Sequence, residues 1–124
     1  MKKLLAGLLF ALWFAVPAHA QNTPGQLPTI NQSVTIVTGN TFQTVVATSG
    51  RRSLTISNNN TSDSCWISFG SFGGVTITAA NATKPRSILL IAGGSYTRYF
   101  PYTPNDEIEG TCASNGDTLY VDIQ

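Results

Sequence analysis

From residue 33 to residue 124, apolar and polar positions alternate in short runs, with clusters of Gly, Asn, Pro and Ser between them. A period of two is that of a strand, whose successive side chains take opposite faces. The pattern predicts strands over 33–38, 42–47, 53–57, 64–70, 75–79, 87–91, 95–100, 107–112 and 118–123. Turn chemistry falls between them, at Gly39-Asn40, Ser49-Gly50, 58–62, Gly73-Gly74, Gly93-Gly94 and Asn115-Gly116. No stretch of this region sustains a helical period. Short strands spaced in this way predict an all-β fold, an antiparallel β-sandwich of jelly-roll or Ig-like type with about eight or nine strands.

Parity within each run then divides core from surface. Leu54 and Ile56 share a face opposite Ser53, Thr55 and Ser57. Cys65, Ile67 and Phe69 share another, and Leu119, Val121 and Ile123 a third. Trp66 and Tyr120 fall on the polar-leaning faces. An outward tryptophan exposes apolar area that a lone domain gains little from. Trp66 is therefore expected at a subunit contact or ligand platform, flanked by Tyr120, with Arg51 and Arg52 as further binding candidates. Of Trp66, Tyr96, Tyr99, Phe100, Tyr102 and Tyr120, two or three are expected to be exposed.

The first residues follow a different logic. Lys2 and Lys3 precede an apolar run over 4–16, and Ala18-His19-Ala20 is a small-x-small sequence of the kind signal peptidase cuts. The run is shorter than the ~20 residues a bilayer span needs. Residues 1–20 therefore read as a signal peptide, 21–32 as an extended arm rich in Pro and Gly, and 33–124 as one domain. Export to the periplasm or outside the cell is expected, with no stable membrane anchor. Cleavage removes Lys2 and Lys3, so five basic residues face six acidic ones and the formal charge moves from +1 to −1. That balance recruits neither nucleic acid nor anionic membrane. Cleavage also removes His19, the sole histidine, and with it Ser-His and Cys-His nucleophile pairs.

Two cysteines in an exported chain are most economically paired, Cys65 with Cys112. Two thiols are too few ligands for a metal centre, and neither a metal nor another cofactor is expected. "SFGSFGGV" and "IAGGS" match no phosphate-loop spacing and read as turns. Glu107 and Glu109 would share a strand face, and paired carboxylates can hydrolyse glycosides. The favoured reading keeps them in a solvated loop and edge strand, where acidic side chains discourage edge pairing.

Three segments carry a family resemblance: "VVATSGRRSLTISNNNTSDSCWISFG", "ILLIAGGSYTRYF" and "DEIEGTCASNGDTLYVDIQ". Their Arg-Arg-x-Leu-x-Ile-x-Asn-Asn strand and turn, Ala-Gly-Gly-Ser joint and final strand resemble small β-sandwich virion proteins of tailed bacteriophages, of the head-decoration or fibre-like kind. The resemblance implies a non-enzymatic structural protein that self-associates or binds a particle or cell surface. If the chain is phage-encoded, the virion surface becomes a possible location. The export signal is a departure from that pattern, because phage capsids assemble in the cytoplasm. A secreted carbohydrate-binding module using exposed aromatics is the alternative, and a small glycosidase using Glu107 and Glu109 a weaker one.

Overall fold

The computed structural model describes residues 29–72 and 74–124, so the signal-peptide reading and all but the end of the arm lie outside the described residues. Among the described residues ten strands follow one another: β1 (Ile30–Thr35), β2 (Gln43–Val46), β3 (Ser53–Asn58), β4 (Cys65–Phe69), β5 (Ser71–Phe72), β6 (Val75–Thr76), β7 (Ile88–Leu90), β8 (Ser95–Tyr99), β9 (Ile108–Cys112) and β10 (Thr118–Ile123). A short 3-10 turn spans Lys84–Arg86.

Eight of the strands form two four-stranded antiparallel sheets, ordered β1-β10-β3-β8 and β2-β9-β4-β7. The remaining two, β5 and β6, make a small ribbon. The pairing is nested: β1 with β10, β2 with β9, β3 with β8 and β4 with β7. That is one long hairpin wound over itself, the connectivity of a jelly roll. It resolves the predicted sandwich in favour of the jelly roll over the Ig-like alternative.

Two strands differ most from the sequence reading, the first running over 30–35 where 33–38 is predicted. The composition of the arm extends it to residue 32, yet Ile30, Asn31 and Gln32 pair with Ile123, Asp122 and Val121. β10 is long enough to offer each of them a ladder partner. The strand predicted over 75–79 stops at Thr76, after which the chain leaves the ribbon and lies across the second sheet.

Inner faces meet as parity predicts. Leu54, Ile56, Leu119 and Val121 from the first sheet pack with Cys65, Ile67, Ile108 and Cys112 from the second, all at 0 % exposure. Cys65 stands directly opposite Cys112 in the β4–β9 ladder, and the two form the disulfide. Gly110 sits in the middle of β9 where the sheets approach. A Cβ there would overlap Val45 Cγ2 and stand 3.0 Å from Leu119 Cδ1. Gly110→Ala should therefore lose about 2 kcal/mol in urea unfolding, as an overpacked core position does. An unchanged midpoint would mean that the sheets separate to admit a methyl group.

Candidate functional site

The outer face of the second sheet carries Trp66 together with Ser68, Thr44, Glu109 and Thr111. Register fixes this grouping: Trp66 lies opposite Thr111 on one side and Leu89 on the other, and Glu109 lies opposite both Ser68 and Thr44. Trp66 thus points away from the core, as parity predicts. Its expected neighbour is elsewhere. Tyr120 belongs to β10 of the first sheet, where Leu119 and Val121 face inward, so it looks out from the opposite side of the sandwich. Parity assigns a side chain to a face of its own sheet and is silent on which sheet the strand joins.

Trp66 is half-buried rather than open. Lys84 Nζ sits 3.8 Å from its ring centroid, a cation–π contact, and donates to Asn40 Oδ1. Segment 77–87 brings Lys84 there by crossing this face. Polar residues on this outer face are buried: Ser68 is 4 % exposed, Glu109 1 % and Thr111 0 %, and the crossing segment meets Glu109 at Ala79.

Glu107 and Glu109 do share one side, yet the edge-strand reading is wrong for Glu109. β9 is a central strand, flanked by β2 and β4, and the side chain is sealed. Thr44 Oγ1 lies 2.6 Å from Glu107 Oε1 and 3.4 Å from Glu109 Oε1. One hydroxyl proton cannot serve both carboxylates, and the shorter contact takes it. Glu109 Oε2 is buried with no hydrogen-bond partner. Burial first, and the neighbouring Glu107 charge second, push the Glu109 carboxyl above its usual range, against weaker support from Thr44 and the Ala79 backbone N–H. A carboxyl so enclosed does not reach a glycan in this conformation.

Arg51 and Arg52 part company. The sequence reading puts Arg51 on a binding face, but it is 4 % exposed. Its guanidinium donates to Ala47 O at 2.8 Å and Asp106 O at 3.2 Å, tying two loops together. Burial lowers its pKa, partly offset by Asp106. Arg52 is exposed, and its carbonyl accepts from Phe100 N–H at 2.7 Å and Thr103 Oγ1 at 3.0 Å.

Those last two bonds anchor the turn after β8, where the exposed aromatics gather. Tyr99, Phe100 and Tyr102 are 69 %, 75 % and 79 % exposed. Tyr102 N–H donates to Tyr99 O at 2.9 Å, closing the turn. The sequence signal for this corner is the run "YFPY", a dense aromatic stretch around a proline. Tyr96, by contrast, turns inward and packs on Phe69, with ring centroids 5.4 Å apart.

Among the described residues, no group of three or more His, Cys, Asp or Glu gathers as metal ligands, and no helix is long and apolar enough to cross a membrane. No protein-family model matches the chain, and no curated protein or solved structure matches it.

Proposed function

We propose that this chain is an exported, non-enzymatic structural or interaction domain that docks on protein, a second copy or a particle surface, through the corner at Tyr99, Phe100 and Tyr102. The carrying observation is that three large aromatics stand open on one hydrogen-bonded turn. Aromatics held in this way bury much area at low entropic cost, and they dominate binding energy where they occur in interfaces. Arg52, exposed, holds the corner through its carbonyl. The disulfide supports an oxidising compartment. The sealing of Glu109 supports the non-enzymatic half of the reading. The resemblance to phage decoration proteins supplies the setting, a small sandwich that coats something larger.

Sedimentation of residues 21–124 over a concentration series tests the self-association arm. Replacing Tyr99, Phe100 and Tyr102 together by serine should weaken association at least about 30-fold, the effect of losing one strong hot spot. The melting temperature should stay unchanged, because these side chains lie outside the core. A wild type that stays monomeric at every concentration overturns self-association through this corner.

A carbohydrate-binding module is favoured by a different observation. Tyr120 lies between Ser33 and Ser57 on a hydroxyl-rich outer face, and Tyr99 stands at the rim of the same sheet. Calorimetric titration with soluble glycans, compared between the wild type and Tyr120→Ala, separates this reading from the first.

A further inference from the structure

Segment 77–87 is attached to the second sheet at three places. Ile77, 5 % exposed, donates its N–H to Gly70 O at 2.9 Å. The Ala79 backbone lies close to the Glu109 carboxyl. Lys84 closes the far end over Trp66 and on Asn40. Between these points lies Glu109, and Ser68 and Thr111 beside it are buried on the same outer face.

The middle attachment is chemically conditional. From β2, Glu109 faces the Thr44 hydroxyl, whose proton the shorter contact commits to Glu107. From β4 it faces Ser68, and from the segment the Ala79 backbone. The charge acting on it is the like charge of Glu107. Lys84, the cation that closes the segment, is engaged at Trp66 and Asn40. A neutral carboxyl fits this pocket. An anion there is desolvated, repelled by Glu107 and left with one buried oxygen unpartnered.

We propose that segment 77–87 is a strap held on the second sheet by an uncharged Glu109, and that loss of the Glu109 proton releases it and bares Trp66 and Thr111. With the strap lifted, Glu109 is solvated and ionises in the ordinary range of an exposed glutamate. With the strap docked, Glu109 keeps its proton to higher pH. Between the two ionisations the docked state binds more protons, so docking weakens as pH rises. The strap is a lid closed in acid and loosened toward neutrality. This inference concerns the opposite side of the sandwich from Tyr120 and does not rest on the aromatic corner.

Residues 21–124 contain a single tryptophan, Trp66, so its fluorescence reports directly on the strap. Acrylamide quenching followed from about pH 4 to about pH 8 should increase in the wild type. In Glu109→Gln, which stays uncharged throughout, the increase should be lost. A flat wild-type profile, or the same increase in Glu109→Gln, overturns the proposal. Should the variant fail to fold, hydrogen exchange on the wild type decides. After correction for the intrinsic pH dependence, Ile77 and Ala79 amides should lose protection with rising pH while β4 and β9 keep theirs. Unchanged protection of those two amides overturns the strap as well.

Discussion

Replacing Cys65 and Cys112 together by alanine is expected to lower the unfolding free energy by about 4 kcal/mol. The bond joins residues 47 apart in sequence, and cross-linking a loop of that length removes much of the freedom of the unfolded chain. It also ties neighbouring central strands, at residues that stand directly opposite in their ladder and are fully buried. Urea unfolding with and without reductant isolates the effect. The wild type should lose stability when reduced, while the alanine variant should ignore the reductant. If the reduced wild type, its thiols verified by alkylation, unfolds at the same urea concentration as the oxidised protein, the bond contributes little.

Asn58→Ala is expected to cost about 3 kcal/mol, because it removes a fully buried amide that serves several backbone carbonyls and an asparagine side chain at once. Asn58 is fully buried at the end of β3. Its Nδ2 reaches Asp63 O at 2.8 Å, Leu90 O at 2.9 Å and Ile91 O at 3.1 Å. Its Oδ1 accepts from Asn60 N–H at 3.1 Å and Asn60 Nδ2 at 2.6 Å. Asn60 Oδ1 in turn accepts from Thr118 N–H, at the start of β10. Two side chains thus connect both sheets and the β7–β8 joint. Asn58→Asp separates the donor from the acceptor role. It preserves the Oδ1 contacts but presents a carboxylate to three carbonyl oxygens, so it should cost at least as much as alanine. A loss below about 1 kcal/mol in either variant would mean that water replaces the network.

Burial of Glu109 is the feature most at odds with its sequence context. "DEIEG" reads as a polar surface stretch, and acidic residues are rarely enclosed without a partner. The strap encloses it, and nothing in the five residues announces a segment that lies some thirty positions earlier in the chain. The same holds for Arg51. Beside Arg52 it looks like half of a basic patch, but the loops carrying Ala47 and Asp106 close around it. Trp66 shows both sides of the matter. Its outward direction follows from the alternation with Cys65 and Ile67, whereas its cover by Lys84 depends on where the chain returns.

By itself the sequence determined the local and periodic features: all-β composition, the positions of most strands, the turns between them, which residues of each strand face inward, and the pairing of the two cysteines. These follow from the two-residue period of a strand and from side-chain chemistry, and both act within a few residues. Strand order, and hence the jelly roll, was decided only by the tertiary structure, as were the opposite placement of Trp66 and Tyr120, the sealing of Glu109 and the core role of Asn58. Each depends on contacts between residues far apart in sequence. Alternation says that a side chain faces a core, but which distant strand or strap completes that core is settled by the packing of the whole chain.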